Sequence, residues 1–174
     1  MKRLIRLITL LSLVIFLAGC QTSAVTDVLP RISTVSESTV SYDKRSLIIY
    51  NDYSLSLKNL ALMISNKIVS DTYNIGSTDK LDLAGYDLIL IGDQALNNQI
   101  TSAMQIFLRD LDFQDKEVGL FWIDGSDDES AEAAFASLVN NGQLLPGLGF
   151  DNSEISKGEL VSQFVDGWLT TIYQ

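Results

Sequence analysis

The chain has 174 residues, with 12 Lys and Arg, 22 Asp and Glu and no His, a formal net charge of -10 at pH 7. Clustered cations that displace phosphate counterions are missing, which excludes a nucleic-acid partner. Without His there is no Ser-His-Asp or Cys-His nucleophile and no His-based metal site, and a single Cys builds no internal disulfide.

Residues 1–20 read MKRLIRLITLLSLVIFLAGC. Lys2, Arg3 and Arg6 make a cationic start, and Leu7 to Ala18 form an apolar run broken only by Thr9 and Ser12. This is the layout of a secretory leader, short of the about 20 residues a membrane span needs. The run ends in Leu17-Ala18-Gly19-Cys20, which resembles the bacterial lipobox. That resemblance implies removal of residues 1–19 and lipidation of Cys20. The membrane is then a partner through the lipid, and the chain sits on the extracytoplasmic side of the cell envelope. Gln21 points to the outer membrane in a Gram-negative cell; in a Gram-positive cell the anchor lies in the cell membrane. Two acyl chains hold a protein where one does not. Loss of three cations with the leader leaves 9 basic against 22 acidic groups, or -13.

Residues 20–45 start with the Cys and continue with nine Ser or Thr, one Pro and no helical apolar stripe, the composition of a flexible tether. Fully extended, it reaches about 80 Å. Val25, Val28, Leu29 and Ile32 allow the alternative of a short packed element.

The domain is expected over 46–174. Ser46–Tyr50 is an apolar run of strand length, followed by Leu57, Leu60, Ala61, Ile64 and Ile68 at helical spacing. Thr72–Ile75 is a weak second strand, and the helix after it is missing or reduced to Lys80–Gly85. Tyr86–Gly92 is the third strand, with Ile100, Ala103, Met104, Phe107 and Leu111 on the next helix. Glu117–Ile123 is the fourth, before Ala131, Ala134, Phe135, Leu138 and Val139. Leu144–Phe150 is an interrupted fifth, and Leu160, Phe164, Trp168 and Ile172 mark the last helix. Strands buried on both faces and alternating with one-sided helices predict an α/β fold, a doubly wound parallel sheet covered on both sides.

Three stretches resemble the flavodoxin family. Leu83-Ala84-Gly85-Tyr86-Asp87-Leu88-Ile89-Leu90-Ile91-Gly92 is similar to the family's approach to the third strand. Phe107-Leu108 through Phe113, then Lys116-Glu117-Val118-Gly119-Leu120-Phe121, resembles its helix-to-strand passage. Leu145-Pro146-Gly147-Leu148-Gly149-Phe150 resembles its late strand. The resemblance implies a flavodoxin-like five-stranded sheet of order 2-1-3-4-5, with FMN at the carboxyl ends of strands one, three and four.

Residues placed there by the resemblance are Ser54, Ser56, Asp93, Gln94, Asn97, Asp124, Gly125 and Ser126. The family's phosphate turn has the form S/T-x-T-G-x-T; here it reads Asp52-Tyr53-Ser54-Leu55-Ser56-Leu57. Leu55 stands for the Gly, Leu57 for the last hydroxyl, and Asp52 adds a negative charge beside a dianion. The competing role for Ser54 or Ser56 is to cap the first helix. After strand three, Gly92 to Gln99 reads as a loop without an aromatic to stack on a flavin ring. After strand four, Asp124-Gly125-Ser126-Asp127-Asp128-Glu129 is an acidic helix start. Asp52, Asp93 and Asp124 each follow a strand, an arrangement that also resembles the receiver domain's Mg²⁺-binding carboxylates.

The sequence therefore points to a tethered flavodoxin-like binding or assembly module with a degenerate FMN site and no expected cofactor, possessing no identifiable catalytic acid, base or nucleophile. The alternative is a flavodoxin-type FMN electron carrier anchored at the cell envelope. Another envelope protein is the expected partner of the first reading.

Overall fold

The computed structural model describes residues 43–125 and 128–174. Cys20, nearly all of the 20–45 tether and Ser126 lie outside them.

Three strands form the centre: β1 (Ser46–Tyr50), β3 (Leu88–Leu96) and β5 (Glu117–Ile123). All are parallel, and β1, the first six residues of β3 and the last six of β5 are buried. Branched and aromatic residues facing both ways explain the run: such a strand is stable only with a layer on each side. β2 (Ser70–Asn74) forms one edge beside β1. β6 (Gln143–Leu144) and β7 (Leu148–Phe150) form the other beside β5, giving the order β2-β1-β3-β5-β6 with β7 also on β5. This is the expected 2-1-3-4-5 order, its fifth strand split in two. The split is at Leu145-Pro146-Gly147. Three residues there face two on β5, Gly119 and Leu120, and Pro146 has no N–H for the ladder.

One face of the sheet packs Ile48, Leu90 and Phe121 against α1 (Leu55–Ser65) and α5 (Gly158–Ile172). The opposite face packs Ile49, Ile91 and Trp122 against α2 (Ser102–Arg109) and α3 (Asp128–Ala136). At Gly92 a Cβ would lie 2.1 Å from the Phe121 ring, so only Gly lets that ring cross the neighbouring strand.

Several expectations shift. The second strand begins at Ser70 rather than Thr72 and ends at Asn74. Among the described residues no helix joins β2 to β3, in keeping with the missing or reduced helix read from the sequence. The last helix buries Val161, Val165, Trp168, Leu169 and Ile172, while Leu160 and Phe164 stay largely exposed. Two apolar stripes fit that sequence at helical spacing, and the one turned to the sheet carries the β-branched residues. On α2 the inward residues are Met104 and Leu108; Ala103 is exposed. Leu138 and Val139 lie beyond the end of α3. A short unexpected helix, α4 (Asn152–Ile155), follows β7, with the Glu154 carboxylate accepting from the Asp151 N–H at 3.0 Å.

Candidate functional site

The carboxyl ends of β1, β3 and β5 come together at one edge of the sheet, at the switch point where an open parallel fold places its ligands. Ser54 caps α1: its hydroxyl accepts from the Leu57 N–H at 3.4 Å. Ser56 lies inside α1 and donates to Asn152 Oδ1 at 2.5 Å. Both hydroxyls placed at a phosphate by resemblance are thus used within the protein. Leu55 and Tyr53 project outward, 73% and 87% exposed, and Asp52 is also exposed.

The expected loop Gly92–Gln99 is not a loop. β3 continues to Leu96, turns through Asn97 and Asn98 and returns as β4 (Gln99–Ile100). Both Asn residues have positive φ, 52° and 61°, the backbone a two-residue hairpin turn demands and Asn tolerates. Asn97 is therefore a turn residue.

Asp93 is fully buried in that strand. Its Oδ2 accepts from the Thr101 N–H and from the Thr101 hydroxyl, both at 2.7 Å, while Asn51 Nδ2 donates to Oδ1 at 3.3 Å. Asn51 Nδ2 also reaches Thr101 Oγ1 at 3.1 Å, and Thr101 caps α2 through the Met104 N–H. Burial pushes the Asp93 carboxyl above its ordinary pKa; the hydrogen bonds from Thr101, the Gln94 N–H and Asn51 oppose this. Asp93 ties β1, β3 and α2 together from inside a strand, not from a loop. Strand pairing continues through residue 94, which the adjacent polar pair Asp93-Gln94 after Gly92 concealed.

Asp124 has φ 65° and spans two loops. Gln94 Nε2 donates to its Oδ2 at 2.7 Å, and the Asn152 N–H donates to its Oδ1 at 3.1 Å. With Ser56 on Asn152, one chain of hydrogen bonds runs from α1 through α4 and the β5 loop to β3. Gly125 packs on Trp122, whose indole Nε1 would lie 2.8 Å from a Cβ at that position. Asp52, Asp93 and Asp124 do not form a carboxylate cage: among the described residues no three His, Cys, Asp or Glu side chains converge.

Beside this network a cleft of about 160 Å³ is lined by Asn51, Asp52, Tyr53, Asn74, Ile75, Gly76 and Ala103. Ligand pockets for molecules of cofactor size run to roughly 300–1,000 Å³. The segments 51–56, 92–99, 124–129 and 145–154 contain no Lys or Arg. An FMN phosphate would meet two engaged hydroxyls, an exposed Leu side chain and carboxylates. What the described residues offer chemically is binding by neutral donors, carboxylates and exposed apolar side chains.

Sequence reasoning missed the Asn51–Asp93–Thr101 network and the exposure of Tyr53. The Thr101-Ser102 pair before an apolar helix was the available signal for the former, since a hydroxyl there is a cap.

No family profile matches the chain, and no curated protein matches it in sequence. Solved structures do resemble it. A flavoprotein in complex with FMN from Lactobacillus acidophilus is 21% identical, with a TM-score of 0.53, over 67% of this chain and 99% of that one. Megasphaera elsdenii flavodoxin is 16% identical with a TM-score of 0.53, over 72% and 98%. A flavodoxin from the Archaea is 11% identical with a TM-score of 0.53, over 75% and 99%. The domain has the flavodoxin-like fold.

Proposed function

We propose that this chain is a lipoprotein, anchored through Cys20 on the extracytoplasmic side of the cell envelope, whose flavodoxin-like domain is a binding or assembly module. The hydrogen-bond chain Ser56–Asn152–Asp124–Gln94 carries this reading: the strand-end loops bind one another where the fold's ligand crevice belongs. Around it stand exposed Tyr53, Leu55 and Leu96 with the carboxylates of Asp52 and Asp151. Apolar anchors rimmed by acids suit a cationic envelope protein and repel an anionic small molecule. The lipid holds the module at the membrane, and the tether sets its reach.

The test is titration of purified protein with FMN, followed by quenching of flavin fluorescence. The expected protein is colourless, with a dissociation constant weaker than micromolar. Tight binding, or a flavin absorbance band in the protein as isolated, overturns the reading. Separately, Cys20→Ser releases the protein from the membrane fraction if the anchor is as proposed.

The second reading is an anchored FMN electron carrier. The likeness to a flavoprotein that binds FMN supports it, as does the exposed Tyr53 ring beside the 160 Å³ cleft, the kind of side chain a flavin stacks on.

A further inference from the structure

Among the described residues β2 pairs with β1 alone, leaving its other edge open. The Val69 carbonyl accepts from the Ser46 N–H, and the Ile75 N–H donates to the Tyr50 carbonyl. In a parallel ladder this fixes the parity: residues 69, 71, 73 and 75 turn their backbone toward β1, and Ser70, Thr72 and Asn74 turn theirs outward. Edge strands are normally blunted by Lys, Pro or a bulge. Ser70–Asn74 has no Lys, Pro or bulge, and its one charged side chain, Asp71, is engaged by Arg45 and Tyr86.

We propose that the open edge of β2 pairs antiparallel with β2 of a second copy, about a two-fold axis through Thr72. That register is self-complementary. Thr72 meets its own copy as a hydrogen-bonded pair, and Ser70 meets Asn74. On one face Asp71 lies opposite Tyr73, so no carboxylate faces a carboxylate directly. Asp71 already holds the Arg45 guanidinium at 3.2 Å and the Tyr86 hydroxyl at 2.8 Å. Two Arg45 and two Asp71 then form a charge-balanced cluster across the axis. On the same face Val69, 74% exposed, lies opposite partly buried Ile75 and gains an apolar neighbour. Charge and apolar pairing agree on one register, a requirement of an isologous interface.

The proposal is independent of the anchor and of FMN, so its test uses the full chain with Cys20→Ser, where an introduced Cys is the only thiol. Hydrogen-bonded antiparallel partners stand about 5.5 Å apart at Cα, within the range a disulfide spans. Under mild oxidation in detergent, Thr72→Cys forms disulfide dimers at least tenfold faster than Gln143→Cys on β6, the exposed opposite edge of the sheet. Equal rates overturn the proposal, as does faster linking by Ser70→Cys, which marks a different register. Thr72→Pro supplies the second measurement. It removes an outward N–H and leaves pairing to β1 intact, as proline on an edge strand does. With unchanged circular dichroism, its sedimentation shows the dimer population reduced at least tenfold; an undiminished dimer overturns the proposal.

Discussion

The two ends of the sheet solve the charge problem in opposite ways. At the amino ends of the strands the cations are paired. Arg45 holds Asp71 and lies 4.9 Å from the Tyr86 ring centroid, Lys44 pairs with Glu117, and Lys116 donates to the Tyr86 carbonyl at 2.8 Å. At the carboxyl ends Asp93 and Asp124 meet neutral donors: Thr101 and Asn51 on Asp93, Gln94 and the Asn152 N–H on Asp124. The lesson is in two aspartates of the same ordinary pKa, 3.8. Asp71, in water beside a phenol and a guanidinium, is lowered; Asp93, buried among neutral groups, is raised. At the amino end opposite charges and a phenol hold the chain; at the carboxyl end neutral donors hold the carboxylates.

The largest expected effect separates the ends by truncation. Asp93→Ala leaves the Thr101 N–H and hydroxyl and one Asn51 proton without their acceptor inside the protein. Buried donors left unpaired cost about 1–3 kcal/mol each, so unfolding in urea is expected to show a loss of about 2–4 kcal/mol. An equal loss for Asp71→Ala, which is exposed, would erase the distinction between the two ends.

A pH series sharpens the same comparison. For Asp93 the folded pKa lies above the unfolded 3.8, so the native state binds more protons between the two values. Its contribution to stability is present below 3.8 and is lost as pH rises through the folded pKa. For Asp71 the folded pKa lies below 3.8, so its contribution is present above 3.8 and is lost as pH falls through the folded value. Difference curves of stability against pH, for each variant to Asn against the parent, are expected to slope in opposite directions. Slopes of one sign would mean that the two carboxylates share an environment.

Much of this architecture was legible in the sequence, and the limits have physical causes. β1, β3 and β5 are continuous apolar runs because both faces are buried, and such runs identify themselves. β2 is half exposed, and SDTYN carries little pattern. α5 offers two stripes a residue apart, Leu160 with Phe164 and Val161 with Val165, and only packing decides between them. At the site, the cap role of Ser54 was readable from its place before an apolar helix. Asp93 was not. An acid after an apolar strand reads as a loop residue, and its burial depends on Asn51 and Thr101, which only the folded chain brings to it.

The smallest effect asks what lowers Asp71. The Tyr86 hydroxyl bond is the largest cause and Arg45 comes after it, although Arg45 is the charged partner. The order is reasonable because the guanidinium is more than half exposed, and water screens an ion pair more than it weakens a directed hydrogen bond. Arg45→Ala is therefore expected to cost under about 1 kcal/mol, falling further in molar salt. Following the Asp71 side-chain carboxyl by NMR, Tyr86→Phe moves the titration midpoint toward 3.8 by more than Arg45→Ala does. Tyr86 responds in kind. Its own phenol is held above the ordinary 10.0, first by burial and then by its bond to Asp71. Asp71→Asn should consequently bring the Tyr86 titration down only in part, leaving the share due to burial. A full return to 10.0 would make the carboxylate the main cause, and the amino end would then be ruled by charge where its geometry indicates hydrogen bonding.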